Sequence, residues 1–500
     1  MTSARALLVL ALGFFGLVSQ TLLFREFLTA LEGNELAVAA FFGSWLLWVA
    51  AGALVGRAAA RLEPWFVPLA LLYLPAFVLQ HNLLAGARAL AGVAAYDLFP
   101  FGRMIALALV TNAPVSLVTG FLFTLACRWW AAGDRARGLP VAQVYVLETL
   151  GATAGGLVVT AVLARGGLGT TAALIGALPL VVAVGLNASG RALRWLPALA
   201  ILAALAAGLA GSWAARDARR AWSRLLPAAG YRGHFATAQA RYLHGEHDGQ
   251  LVVLSAGGTV EALPADEHAG EIAAVTLAQH PGARRVLVIG PGSLGVALAL
   301  RSLPSIREVT WLHPDPDYPA ALAGVLPPEQ RAALAGVAAP RCDARAYLER
   351  PGEPHDLVIL NLPDATTLVL NRYFTREFYA LVKRRLAPDG VVALRLTGAA
   401  NYLGGELACL GASALATLRA QFERIVLKPG EESWLIGADA ADLSESPARL
   451  RDRFAALEGA ARLYPPEGLL SLYPPERIAF QRARYEEVLA DTGAELLENT

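Results

Sequence analysis

RRVLVIGPGSLGVALALRS, Arg284 to Ser302, is the stretch that decides the fold. Its first part, Arg284 to Gly290, is a short apolar run bounded by charge and glycine, the pattern of a strand buried on both faces. Gly290, Gly292 and Gly295 then fall at the GxGxxG spacing, directly before an apolar helix from Val296 to Ser302. Glycines so spaced let the backbone turn tightly and close on a nucleotide at the helix N-terminus. GxGxxG alone is a weak signal. The strand before it and the helix after it make it a Rossmann-type unit.

Downstream, strands and helices keep alternating, the order of a doubly wound sheet. EVTWLHPDPD (Glu308 to Asp317) is the second strand. An acid near the end of such a strand holds ribose hydroxyls; that position is taken by His313, with Asp315 two residues on. Arg341-Cys342-Asp343-Ala344 places an acid where a third strand should end, suited to an adenine amino group. HDLVILNLPDA ends with Asn361 and Asp364 at the carboxyl edge of the sheet, where ligands bind in such folds. A fifth strand, GVVALRL, follows the turn Pro388-Asp389-Gly390. Taken singly, each acid also reads as a helix cap or turn residue; their placement at successive strand ends singles them out together.

Upstream, residues 240–243, 250–254 and 259–262 are short β-like runs separated by His247-Asp248-Gly249 and Gly257-Gly258, a small antiparallel meander. The arginine-rich, amphipathic stretch from Ala214 to Leu226 suits a linker lying along a membrane surface. Before it, seven runs reach the roughly 20 apolar residues needed to cross a hydrocarbon core about 30 Å thick. They cover residues 6–24, 37–55, 65–81, 104–126, 141–163, 170–188 and 194–213. The shorter run Leu83 to Tyr96, interrupted by Arg88, reads as a re-entrant or interfacial helix. The first run lacks a small-residue cleavage site and leads into further runs, so it reads as a retained helix. Arginines at the run ends divide evenly between the two sides, so the positive-inside rule leaves orientation open.

Ser19, Gln20, Arg25, Glu26, Asn34 and Glu35 gather near the end of the first run. Glu148 sits in the fifth beside Gly151, Gly155 and Gly156, which let a neighbouring helix approach closely. The polar groups read either as interfacial anchors and pairs within a bundle, or as a substrate path or proton relay.

Mean hydropathy of +0.47 agrees with a membrane protein. A net charge of +1 offers no basic face for nucleic acid. Cys127, Cys342 and Cys409 are far apart and form no CxxC or Cys/His cluster, so neither a disulfide framework nor a metal site is expected. The fold class is thus a multi-pass α-helical membrane bundle over residues 1–215, a linker and meander over 216–262, and an α/β Rossmann-like domain over 263–500.

DEHAGE (Asp266 to Glu271), VLVIGPGSLG, Asp343-Ala344, LNLPD and LNRYFTREFYALVKRRLAPDGVV (Leu370 to Val392), then ANYLGGELACL and FERIVLKPG, lie in the second half. SQTLLFRE, GNEL and YVLETLGATAGG lie in the first. Together they resemble the spermidine synthase (polyamine aminopropyltransferase) family, in its membrane-fused bacterial branch. The resemblance implies a class I methyltransferase-like fold and aminopropyl transfer from decarboxylated S-adenosylmethionine to a polyamine. It implies Asp364 as the base, Asp266 and Glu267 as diamine contacts, and Gly290, Gly292, Gly295, His313, Asp315, Asp343, Ala344 and Asn361 around the adenosyl ligand. A neutral amine must attack the methylene beside a sulfonium, so a carboxylate is needed to take its proton. Four positions depart from the family pattern. Ser293 or Leu294 stands for the loop aspartate, His313 for the ribose acid and Asn361 for the first acid of the catalytic loop, and the tyrosine of the DE segment is missing. Fewer carboxylates mean weaker selection for a dicationic amine.

The expected function is a membrane-anchored transferase that binds an adenosyl ligand (decarboxylated S-adenosylmethionine or S-adenosylmethionine) and passes an aminopropyl or related group to a small-molecule amine or membrane-associated substrate. The alternative is an inactive domain of the same fold acting as membrane scaffold, nucleotide sensor or transporter regulator. An NAD-dependent oxidoreductase is disfavoured, because no hydride-transfer constellation accompanies the loop. The expected partners are the lipid bilayer, a second copy or membrane subunits, and no nucleic acid. The expected location is the inner membrane, with the soluble domain in the cytoplasm where adenosyl ligands are made.

Overall fold

Apolar runs fold into helices because a helix satisfies its own backbone groups without water. The computed structural model describes every residue except 1, 32–34, 94–98, 134–138, 165–168, 189–214, 238, 256–257, 494–497 and 500. The runs form α1 (Thr2–Ala30) and α2 (Leu36–Ala58). A composite of 3-10 and α segments follows, holding α3 (Phe66–Leu69) and α4 (Tyr73–Ala85). Next come α5 (Ala87–Ala91), α6 (Phe101–Gly133), α7 (Pro140–Ala164) and α8 (Gly169–Ala188). Among the described residues five helices are long and apolar enough to cross a membrane: Ser3–Ala30, Leu36–Ala58, Ala60–Ala85, Phe101–Ala132 and Pro140–Leu163. Seven were expected. The sixth run falls on α8, whose apolar stretch Thr171–Asn187 is shorter, and the seventh lies outside the described residues. Of the separate element expected at Leu83 to Tyr96, Leu83 to Ala85 finish α4, α5 follows, and residues 94–96 lie outside the described residues.

Glycines set the helix spacing. A Cβ on Gly13 would lie 1.9 Å from Glu148 O, and one on Gly151 would lie 1.9 Å from Leu10 O, so α1 and α7 touch backbone to backbone. α2 and α6 repeat the arrangement, with Gly52 against Leu117 O and Gly120 against Val49 O. A buried amide pair joins α4 to α6: Gln80 Nε2 donates to Asn112 Oδ1 at 3.0 Å, and Gln80 Oε1 accepts Val115 N at 3.0 Å. Asn112 Nδ2 in turn donates to Ser44 Oγ at 2.7 Å and Phe41 O at 3.0 Å. These bonds satisfy polar groups that would be costly unpaired in an apolar bundle.

Helix α9 (residues 215–222) lies in the arginine-rich stretch. Strands β1 (Tyr231–Ala236), β2 (Arg241–His247), β3 (Gln250–Ser255) and β4 (Gly258–Leu263) pair in consecutive order. The sequence shows three of them; β1, YRGHFA, has no apolar alternation to reveal it. Asp248 (φ 48°) and Gly249 (φ 79°) make the two-residue turn between β2 and β3, the left-handed pair such hairpins need.

After α10 (Asp266–Leu277) come β5 (Arg285–Ile289), α11 (Leu294–Arg301), β6 (Glu308–Leu312), α12 (Tyr318–Ala323), α13 (Pro328–Leu334), α14 (Ala344–Glu349) and β7 (His355–Leu360). Then follow α15 (Leu368–Asn371), α16 (Arg376–Arg385), β8 (Leu386–Thr397), α17 (Gly405–Arg419), β9 (Arg424–Lys428) and β10 (Glu432–Ala438). The sheet order is β6-β5-β7-β8-β10-β9, with β6, β5, β7 and β8 parallel and β10 antiparallel to both neighbours. Val286 to Ile289 and Leu357 to Leu360 are fully buried, as parallel strands covered on both faces must be. The third strand expected before Asp343 is reduced to one bridge: Trp311 N donates to Ala338 O and Ala338 N to Val309 O. Two compact units result, Met1–Leu243 with Leu254–Gly258, and His244–Val253 with Thr259–Thr500.

Candidate active site

The chain leaves β5 for β6 on one side and returns to β7 on the other, so the carboxyl ends of β5 and β7 form a topological switch point, the place where open α/β sheets bind ligands. Gly290 and Asn361 meet there. A Cβ on Gly290 would lie 1.8 Å from Asn361 O, and φ of +147° at Gly290 is itself a glycine conformation. Asn361 N donates to Ile289 O at 2.8 Å, and its side-chain Nδ2 donates to Ser293 Oγ at 3.0 Å. Asn361 thus ties the glycine loop to β7. Trp311 Nε1 donates to Gly290 O at 3.1 Å, fixing the loop from β6 as well.

Gly292 has φ +63°, and a Cβ there would lie 3.0 Å from Val260 O, so the direction its hydrogen takes is filled by β4. Gly295 is shielded likewise, its Cβ position 3.1 Å from the Ala265 methyl group. Residues 260–265, the end of β4 and the turn after it, therefore lie directly on the loop and the head of α11. They bring Glu261, which no spacing in the sequence singled out. Glu261 is 2% exposed and lies on the buried face of β4 together with Leu263. Burial pushes its carboxyl up to about 8 against the lowering effect of the Leu294 and Gly295 amides. The period-two relation to Leu263 was the one available signal.

His313 follows β6 and is 6% exposed, its ring stacked on Tyr318 with centroids 4.1 Å apart. His313 Nδ1 lies 3.0 Å from Asp315 N and 3.1 Å from Asp315 O, so that side of the ring is engaged by the backbone of Asp315. Nε2 is buried and has no partner among the described residues. Burial, first, holds the imidazole down to about 4, so the ring is neutral. Asp315 is 4% exposed and its Oδ1 accepts Asp317 N at 3.2 Å, a turn role at the head of α12. Asp343 caps α14, accepting Arg345 N at 2.9 Å, and the same oxygen pairs with Arg372 at 2.9 Å. Ala344 beside it is buried.

Asp364 is half-buried past the end of β7, and its Oδ1 accepts Thr397 N from the end of β8 at 3.0 Å. A cavity of about 220 Å³ opens beside this loop, lined in part by Ala365, Asn371, Phe374, Ser413 and Asn499. Asp266 opens α10, and its side chain lies outside the described residues; Glu267 is exposed. The acid of that segment with a buried partner is Glu271, which accepts Lys428 Nζ at 3.0 Å. The glycine loop, His313 and Asn361 thus come together around the switch point, with Asp364 at the same edge. Asp315 and Asp343 are bound into turn and cap.

Residues 267–399 match the family model described as the spermine/spermidine synthase domain. The chain carries a spermidine synthase domain. It is 31% identical over 163 residues to polyamine aminopropyltransferase 2 of Streptomyces coelicolor, covering 30% of this chain and 28% of that protein. It is 32% identical over 146 residues to the polyamine aminopropyltransferase of Mycobacterium tuberculosis, covering 28% of this chain and 27% of that one. The chain thus spans under a third of the length of these curated relatives. Among solved structures, a spermidine synthase in complex with the transition state analogue AdoDATO aligns over 52% of this chain and 89% of its own, at 18% identity and TM-score 0.41. The spermidine synthase of Thermotoga maritima aligns over 51% and 87%, at 16% identity and TM-score 0.40. The spermidine synthase domain match runs from α10 to just past β8 and so contains the entire parallel part of the sheet; Glu261 lies just before it.

The residues suit an adenosyl ligand. The loop offers backbone at the head of α11, and His313 Nε2 and Glu261 Oε2 are buried polar atoms without a partner among the described residues.

Proposed function

We propose that this protein is a membrane-anchored, spermidine synthase-like aminopropyltransferase. The carrying observation is that the stretch matching the spermidine synthase domain coincides with the parallel strands whose carboxyl edge gathers the glycine loop, His313, Asn361 and Asp364. When bound, a decarboxylated S-adenosylmethionine-type ligand supplies an electrophilic methylene next to a sulfonium. The amine nitrogen forms the new C–N bond as the C–S bond breaks, sulfur leaves with the bonding pair as a neutral thioether, and the ammonium proton passes to the Asp364 carboxylate. Gly290, Gly292 and Gly295 shape the loop, His313 Nε2 meets a ribose hydroxyl, and Asn361 holds the loop in register with Asp364. Asp266 and Glu267 take the far end of the amine. The helices of residues 1–215 anchor the enzyme in the inner membrane, and the transferase domain works on the cytoplasmic side.

The test is calorimetry of the full chain, purified in detergent, with decarboxylated S-adenosylmethionine, S-adenosylmethionine, methylthioadenosine and NAD, followed by a transfer assay over a set of diamines and membrane extracts. Binding of an adenosyl ligand with turnover is expected. Binding without turnover of any donor would leave a nucleotide sensor in its place.

A further inference from the structure

We propose that Glu261 sets the charge of the ligand that the glycine loop accepts, admitting an adenosyl ligand with a positive charge beside its ribose and turning away phosphate-linked dinucleotides. The inference rests on the adenosyl reading above and deepens it. In a dinucleotide site the pyrophosphate sits on the free amides at the head of the helix that follows the loop. Here the head of α11 faces a side chain of the protein itself. The amides of Leu294 and Gly295 bear on the Glu261 carboxyl, and β4 approaches so closely that a Cβ on Gly292 would lie 3.0 Å from Val260 O. A phosphate entering there would meet a carboxyl group where it needs amides.

The same carboxyl is incomplete without a ligand. Glu261 is 2% exposed, and its Oε2 is buried with no partner among the described residues. A buried carboxyl oxygen without a partner is costly, and a ligand cation that draws its proton off, or a polar ligand group, relieves it. The charged groups of the elements around it are engaged elsewhere or exposed. Glu267 and His268 are exposed on α10, Glu271 is paired with Lys428, and Arg301 is exposed at the far end of α11. Across the loop, His313 is neutral and Asp315 accepts the amide of Asp317. With its carboxyl pushed up to about 8, Glu261 is largely protonated at pH 7 in the free protein. A cation placed against it favours the carboxylate, so binding releases a proton.

The experiment is calorimetry on the full chain at pH 7 in two buffers of different ionisation enthalpy, with decarboxylated S-adenosylmethionine, the neutral thioether methylthioadenosine, and NAD. The parent is expected to release most of one proton with the cation and none with the thioether, and NAD is not expected to compete. Glu261→Gln is expected to abolish that release and to reduce the preference for the cation over the thioether about 10- to 100-fold, the range of a hydrogen bond to a charged group. Its affinity for methylthioadenosine should stay near that of the parent. An unchanged preference in Glu261→Gln, or tight NAD binding by the parent, overturns the proposal. If the variant does not fold, proton release by the parent alone decides, and its absence overturns the proposal. Failure of every adenosyl ligand to bind the parent overturns the adenosyl reading itself, a result distinct from binding without charge preference.

Discussion

Asp364 and Thr397 are joined by one hydrogen bond, amide to Oδ1 at 3.0 Å, and asparagine presents an oxygen to the same N–H. Asp364→Asn therefore keeps the loop and removes only the proton acceptor. The expected outcome is a transfer rate lower by about 10²–10⁴-fold with adenosyl binding unchanged, read from turnover and calorimetry on the same preparation. Turnover equal to the parent would refute the base and leave Asp364 as a turn residue. Two histidines make a separate prediction about pH. His313 and His355 are both held down to about 4, each chiefly by burial and His355 also by Arg385 and Arg285. A depressed folded value means that the unfolded chain takes up protons first. The stability each contributes is present above the unfolded value of about 6.5 and is lost as pH falls towards 4, to a limit of about 3 kcal/mol per group. Denaturant titrations between pH 7 and 4 should show this loss, and His313→Gln should remove about half of the slope.

Strand, loop and helix around Gly290 were legible because each piece carried its own signal: an apolar run, glycine spacing, then helical periodicity. The third strand was not, because AALAGVAAPRCDA has few β-branched residues, and it pairs through the single bridge at Ala338. Its loss changes how Asp343 reads, since the acid now caps α14 and pairs with Arg372. Glu261 stayed hidden for a different reason: its period-two relation to Leu263 marks a buried face, but its place at the loop comes from the packing of β4 on α11. The same packing revises what Gly292 is for. A side chain there meets Val260 O and needs φ of +63°, so Gly292→Val acts through β4 before any ligand arrives. Both stability and adenosyl binding should fall, with about 1–3 kcal/mol lost in unfolding from the backbone conformation alone. A variant as stable as the parent that merely fails to bind ligand would show that the glycine faces the ligand after all.

At the scale of the whole chain, the helical half was legible from hydropathy down to its glycines, and five of the helices among the described residues are long and apolar enough to cross a membrane. α1, α2, α6 and α7 are each one continuous helix, the third candidate span is a composite of short segments, and α8 offers only Thr171–Asn187. Arginine is balanced at the two sets of helix ends, so sidedness must come from chemistry. The transferase reading needs an adenosyl ligand, which is made in the cytoplasm, so that reading predicts an α/β unit inside the cell. Protease added to intact spheroplasts should then leave the stretch from Thr259 to the C-terminus uncut, while lysis should expose it. A cysteine introduced in the turn at Asp248 should likewise resist a membrane-impermeant thiol reagent until lysis. Cleavage and labelling in intact cells would put the unit outside. They would also remove the supply of the ligand that Gly290, His313 and Glu261 are proposed to hold.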